Sequence, residues 1–294
     1  MGSSAAEHIP VLSKALAERI NLPQDAVMVD ATIGHGGHSL LFGQSLKTLI
    51  GFDLDMNSIR SARSRLQSLD CELIFVNENF SGIGPELRKR EIEKVDFILA
   101  DLGVCSAQLE DAEMGLSFLQ DMPLDMRFDK RLKTTAADIV NKMERKELAD
   151  LIYRYGEERA SRRIARFIAE ARKNQPIKTT GQLSSVVCRA LGKTGGRIHP
   201  ATRTFQAIRI AVNDELQNLR ILLDSAPALL RENGYLAVIS FHSLEDRIVK
   251  RDFRHNKKEG IYRCMTKKPI IADTEEKEKN KRSRSAKLRI SQRV

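Results

Sequence analysis

The chain has 294 residues, 41% of them hydrophobic and 5% aromatic, with no tryptophan and a net charge of +10. That length accommodates one large or two ordinary compact units, and the apolar content is far above that of a disordered chain. The longest apolar runs, such as residues 235–239, are much too short to span a bilayer, so no membrane partner is expected.

Cys71, Cys105, Cys188 and Cys264 are scattered and form no CxxC pair. This predicts no metal site, no disulfide framework and a cytoplasmic protein with reduced thiols. Residues 1–7 have neither a basic start nor an apolar stretch, so no secretory signal is expected. The charge is unevenly spread. Residues 112–212 hold 20 Lys/Arg against 11 Asp/Glu, and 250–294 hold 16 against 6, whereas the remainder holds 13 against 22. An acidic body with two basic segments suits a catalytic core carrying separate polyanion-binding surfaces.

In chain order, apolar runs at 27–31, 48–52, 73–76 and 95–102 read as strands. Helical patterns near 39–45, 56–69 and 83–93 lie between them. Such alternation predicts a parallel, doubly wound α/β sheet. The alternation stops near Asp111, and the chain reads as charged helix to Val212. Within 159–173, Ala160, Ile164, Phe167, Ile168 and Ala171 recur at helical spacing, with Arg162, Arg163 and Arg166 on the opposite side. Another helix is expected over 202–223, then a turn at Glu232-Asn233-Gly234 and a strand over 235–241. The lysine-rich stretch 257–281 reads as loose, and 287–294 as an edge strand. The expected organisation is a discontinuous core of 1–110 and 213–294, interrupted by a helical insertion of 111–212.

The first strand holds Asp30 and runs into Gly34-His35-Gly36-Gly37-His38-Ser39. Glycines between a strand and a helix let the backbone approach a nucleotide closely. The dinucleotide fingerprint needs Gly or Ala where Ser39 stands, which disfavours nicotinamide. An acid just before the glycines suits the first motif of methyltransferases better. Asp53, 19 residues after Gly34, ends the second strand, where a carboxylate can accept both ribose hydroxyls. Asp101 ends the fourth, at the edge where open α/β sheets bind ligands, and a carboxylate buried there needs a hydrogen-bond partner.

Eight blocks taken in order resemble the bacterial 16S rRNA cytosine-N4 methyltransferase family (RsmH/MraW type). They are His8-Ile9-Pro10-Val11-Leu12, the Gly34–Ser39 loop, Asp101-Leu102-Gly103-Val104, Pro123-Leu124-Asp125-Met126-Arg127, Tyr155-Gly156-Glu157-Glu158-Arg159, the stretch 199–206, the stretch 240–247 and the stretch 282–289. The resemblance implies a Rossmann-like class I methyltransferase sheet with an inserted helical domain for RNA recognition. It implies S-adenosyl-L-methionine as cofactor, contacted by Gly36, Gly37, His38, Asp53, Phe80, Asp101 and Gln108. The substrate it implies is a cytidine amine in the decoding centre of 16S rRNA, within the small ribosomal subunit or its late precursor. A homodimer is allowed but not specified. Cys105 and Ala107 stand where the family usually has Ser and Pro, and Ala31 replaces a common Gly.

A cytosine amine is a poor nucleophile, so transfer needs alignment and an acceptor for the amine proton. Asp101, or a backbone carbonyl just after it, is the candidate acceptor. His242, after the fifth strand, is a second candidate for the cytosine pocket, with helix capping as its alternative. Cys105 leaves open a carbon-5 methyltransferase that attacks the ring through sulfur. Arg162, Arg163, Arg166, Arg203, Arg282, Arg284 and Arg289 are candidates for RNA backbone contacts, and the low aromatic content argues against extensive base stacking. Two rivals remain: a DNA or other RNA amine methyltransferase, and a non-catalytic nucleic-acid-binding protein with a vestigial cofactor fold.

Overall fold

The alternating segments assemble into one sheet. The computed structural model describes residues 10–104, 108, 111, 113–192 and 199–294. Its strands are β1 (Ala26–Asp30), β2 (Leu46–Phe52), β3 (Glu72–Val76), β4 (Val95–Asp101), β5 (Leu230–Ser240), β6 (Tyr262–Cys264) and β7 (Lys287–Arg293). They lie in the order β3-β2-β1-β4-β5-β7-β6. Strands β1 to β5 are mutually parallel, β7 runs antiparallel to β5, and β6 runs antiparallel to β7.

Side-chain alternation explains why the central strands read as unbroken apolar runs. On β4, Phe97 and Leu99 pack on one face with Met28, Leu49, Ala237, Ile239, Leu288 and Ile290. Ile98 and Ala100 pack on the other with Val29, Ile50, Leu236 and Val238. Both faces are covered, so both must be apolar. The helix Met56–Leu66 shows how local chemistry sets a boundary: Asp55 caps it by accepting from the N–H groups of Asn57 and Ser58, while Ile59, Ala62 and Leu66 are buried. The chain builds outward from β1 through β2 to β3, then returns to lay β4 against the other side of β1. In open α/β sheets ligands bind where the strand order reverses in this way, here at the carboxyl ends of β1 and β4.

Three expectations need correction. The stretch 202–223 is not one helix: Thr202–Asn213 ends at Asp214, held in the left-handed region at φ 49°, and a second helix covers Glu215–Leu229. Asn213 is tied down at the break. Its Oδ1 accepts from Phe128 N at 2.8 Å, and its Nδ2 donates to Met126 O at 2.7 Å. The turn at Glu232-Asn233-Gly234 lies inside β5, where Leu230 pairs with Val95 and Tyr235 with Phe97, so the four residues between them bulge out. Finally, β7 is an interior strand, because the 257–281 stretch supplies β6 beyond it.

The chain divides into two compact units, residues 1–103 with 216–294, and residues 104–215. The second unit is helical: Ala136–Lys142, Arg145–Gly156, Ser161–Asn174, Thr180–Leu191 and Thr202–Asn213. Thr135 with Asp138, and Thr179 with Gln182, form reciprocal capping boxes. Leu148, Ile152, Ile164, Ile168, Leu183, Val187, Phe205 and Ile208 fill its core.

Gly156 closes the Arg145–Gly156 helix directly against the backbone of Thr202–Asn213. A Cβ there would stand 2.5 Å from the carbonyl oxygen of Arg203. Neither backbone can yield without moving its helix, so Gly156→Ala is expected to destabilise the protein by about 1–3 kcal/mol. Urea unfolding checks this, and an unchanged midpoint would show the helices free to separate.

Candidate active site

Three carboxylates, from β1, β2 and β4, define the edge of the first unit at the reversal point. Asp30, at the end of β1, is buried. Its Oδ2 accepts from the Ser39 hydroxyl at 2.6 Å, and its Oδ1 accepts from Thr32 N at 3.2 Å. Burial pushes its pKa up, and the Ser39 bond pulls it back in part. The carboxylate thus clasps both ends of the glycine loop. Gly34 and Gly36 take φ of 49° and 75°, and Gly36 N donates to Ile33 O at 2.7 Å. The sequence suggests that Gly36 makes room for a ligand. Its missing Cβ also makes room for Leu66, whose side chain a Cβ would approach to 2.9 Å.

Asp53 follows β2 and anchors the same loop from the other side. Its Oδ2 accepts from Gly34 N at 3.0 Å and its Oδ1 from Asp55 N at 2.9 Å. Asn77 holds this turn by donating to the carbonyls of Asp53 and Leu54, both at 3.0 Å. Burial nevertheless raises the Asp53 pKa to about 6, outweighing both N–H donors. A carboxylate so placed gains from further donors, such as a pair of ribose hydroxyls.

Asp101 ends β4. Its own N–H donates to Thr32 Oγ1 at 2.7 Å, which stitches β4 to the loop after β1. The carboxylate has two unequal sides. Oδ2 lies 3.7 Å from Nδ1 of the buried His38, whereas Oδ1 is buried and has no hydrogen-bond partner among the described residues. Burial pushes the Asp101 pKa up, and His38, whenever its ring is protonated, and Arg282 oppose this. His38 is itself steered by the carbonyl of Val11, 2.8 Å from its Nε2.

The remaining sequence candidates are placed as follows. Gly37 is half-buried, and a Cβ on it would reach Pro10 at 3.4 Å. Phe80, half-buried, opens a short turn capped by Asn79. Gln108 is half-buried and belongs to the helical unit. Cys105 and Ala107, like His8 and Ile9, lie outside the described residues.

His242 is a helix cap. Its Nδ1 accepts from Glu245 N at 3.3 Å, its Nε2 lies 3.2 Å from Glu245 Oε1, and that glutamate accepts in turn from the N–H of Phe241 and of His242. Nδ1 is thus spent on the cap, the alternative raised for His242 from the sequence.

The arginines separate by exposure. Arg162, Arg163 and Arg166 are exposed on the Ser161–Asn174 helix, whose opposite side buries Ile164, Ala165 and Ile168. Arg203 is exposed and sits 3.7 Å from Glu158. Arg284 is exposed, while Arg282 lies over the Phe241 ring at 5.3 Å. Arg289 is only 6% exposed and bonds Asp246 at 2.7 Å, so it braces β7 instead of facing RNA. Sequence reasoning missed the bracing partners Ser39, Thr32 and Val11. Hydroxyls flanking a glycine loop were the available signal for the first two; a main-chain carbonyl leaves none.

The donor and acceptor set therefore fits a nucleoside ligand: a tight loop, a ribose-height carboxylate at β2, and an acceptor with a spare lone pair at β4. A family model described as the MraW methylase family matches residues 5–294. The chain is 43% identical to "Ribosomal RNA small subunit methyltransferase H" of Clostridioides difficile (strain 630), with 98% of this chain and 99% of that protein covered. It is 48% identical to the protein of the same name from Acaryochloris marina (strain MBIC 11017), with 99% and 95% covered. A match over nearly the whole chain, to relatives of the same length, on a sheet of this order means that the chain belongs to the MraW methylase family, methyltransferases of Rossmann-like fold that use S-adenosylmethionine.

Proposed function

We propose that this protein methylates the N4 amine of a cytidine in the decoding centre of 16S rRNA, within the small ribosomal subunit or its late precursor. Two lines support the reading: the eight sequence blocks shared with cytosine-N4 methyltransferases, and relatives named for small-subunit rRNA. One structural observation carries it furthest. Asp101 Oδ1 is a buried acceptor without a donor among the described residues, at the sheet edge where substrates sit. An exocyclic amine supplies the missing N–H.

S-adenosylmethionine, when bound, supplies an electrophilic methyl group. The chain's own residues do the rest. Asp53 accepts the ribose hydroxyls, and Gly36, Gly37, His38, Phe80 and Asp101 complete the cofactor site. Asp101 takes an N–H bond from the amine, so that the nitrogen lone pair points at the methyl carbon. Holding reactants in line in this way contributes roughly 7–11 kcal/mol to barrier reduction without covalent catalysis. The helical unit binds RNA backbone through Arg162, Arg163 and Arg166, with Arg203, Arg282 and Arg284 as further contacts.

Nucleoside mass spectrometry of 16S rRNA tests the substrate. Cells lacking the gene are expected to lose N4-methylation of a decoding-centre cytidine; an unaltered nucleoside profile would refute the assignment. With purified protein, Asp101→Asn is expected to lower kcat by about 100-fold or more. Near-full turnover in that variant removes Asp101 from the chemistry.

Ribose hydroxyls donate more strongly, and to both oxygens, when Asp53 is ionised, so cofactor binding is linked to its deprotonation. With a free-protein pKa of about 6, affinity is expected to fall as pH drops through that value, approaching tenfold per pH unit. The sign for the unliganded fold is opposite. A pKa raised on folding gives stability that is fully present below 3.8 and lost as pH rises through about 6. Calorimetric titrations from pH 5 to 8 check the binding arm, and Asp53→Asn should bind weakly with no such dependence.

For RNA, replacing any one of Arg162, Arg163 or Arg166 by Ala should weaken binding at every sequence and reduce the salt slope by about 1. A slope unchanged in all three variants would place the RNA elsewhere.

A further inference from the structure

We propose that His38 is a relay base behind Asp101: the amine proton passes to the Asp101 carboxylate and onward to Nδ1 of His38. This rests on the reading of Asp101 given above and extends it to a second residue.

The tautomer of His38 follows from its surroundings. The ring is 7% exposed, and its Nε2 lies 2.8 Å from the carbonyl oxygen of Val11. A carbonyl can only accept, so Nε2 carries a hydrogen, and in the neutral ring Nδ1 is then bare. That bare nitrogen faces Asp101 Oδ2 at 3.7 Å. A bridging proton would draw the pair together by roughly 1 Å, to ordinary hydrogen-bond length. The other oxygen of the carboxylate, Oδ1, is the one left without a partner among the described residues. Asp101 thus offers one oxygen to a substrate and the other to a base.

The charges around the pair suit a passing proton. Asp30, on β1, adds its negative charge beside His38, and its own hydrogen bonds are already taken by Ser39 and Thr32. Arg282 acts on Asp101 and favours its ionised form before transfer. The balance of the step is simple. As the amine nitrogen bonds to the methyl carbon, the carbon–sulfur bond breaks with its electron pair going to sulfur, the N–H bond breaks with its pair staying on nitrogen, and an O–H bond forms at Asp101 Oδ1. Rotation of the carboxyl group about Cβ–Cγ then turns that O–H towards His38, where it breaks as Nδ1–H forms and the carboxylate is restored; once product has left, the proton returns by the same path to water. Nothing is oxidised or reduced.

The first test needs no substrate. In full-length protein labelled with 15N-histidine, His38 should show a protonated Nε2 and an unprotonated Nδ1, and its protonation curve should shift when Asp101 is replaced by Asn. A protonated Nδ1 in the neutral ring, or a curve indifferent to Asp101→Asn, overturns the relay. The second test uses His38→Gln, whose amide can still donate towards Val11 but offers no base. With small ribosomal subunits lacking the modification as substrate, and S-adenosylmethionine raised until it saturates the variant, kcat should fall by about 100-fold. The acid limb of the kcat–pH profile should lose one of its two ionisations, its limiting slope falling from two to one, an effect that a purely structural histidine would not produce. An inactive Asp101→Asn beside a fully active His38→Gln overturns the relay and leaves the role of Asp101 standing.

Discussion

A buried carboxylate holds the working edge of this protein together. Asp30 receives the Ser39 hydroxyl on one oxygen and the Thr32 N–H on the other. Thr32 in turn receives the N–H of Asp101. The chain Ser39–Asp30–Thr32–Asp101 therefore links the start of a helix, the end of β1 and the end of β4 across the reversal point of the sheet. A charge out of contact with water is tolerated only when its lone pairs are filled, and removing one partner of such a network is far more damaging than replacing the whole by apolar groups. The glycine loop keeps its shape because this acid has nowhere else to bond.

The same arrangement concentrates negative charge. Asp30, Asp53 and Asp101 end three neighbouring strands, and burial raises the pKa of each. An unliganded protein that keeps three carboxylates in such surroundings gives up stability as pH rises and they ionise. Sites of this kind are where folds give up stability for chemistry. Arg282 relieves the crowding at Asp101, and the ribose hydroxyls assigned to Asp53 would relieve it there.

Much of the sheet was legible in the residues. Strands β1 to β4 lie within two residues of their expected ends, because strands covered on both faces announce themselves as continuous apolar runs. What the periodicity could not carry was interruption. The helical pattern runs through Asp214 because the next helix resumes one residue later, and nothing local reveals that Asn213 is pinned by Met126 and Phe128 far back in the chain. Three-residue β6 is too short to produce a pattern in a lysine-rich stretch. At the site, residue types and spacing pointed to Asp53 and Asp101, whereas Arg289 shows the limit of that reasoning. An arginine in a basic segment looks functional until its partner, Asp246, is seen.

The bulged pairing of β4 with β5 has a kinetic side. Phe97 meets Tyr235 and Ile98 meets Leu236 at the middle of the sheet, yet the whole helical unit is strung between them in the chain. Closing that span as a loose coil would carry a large loop entropy, and contacts so distant in sequence form slowly. Helices whose contacts are mostly local form early. A helical unit that forms first would shorten the tether, and the pairing of β4 with β5 would then close last.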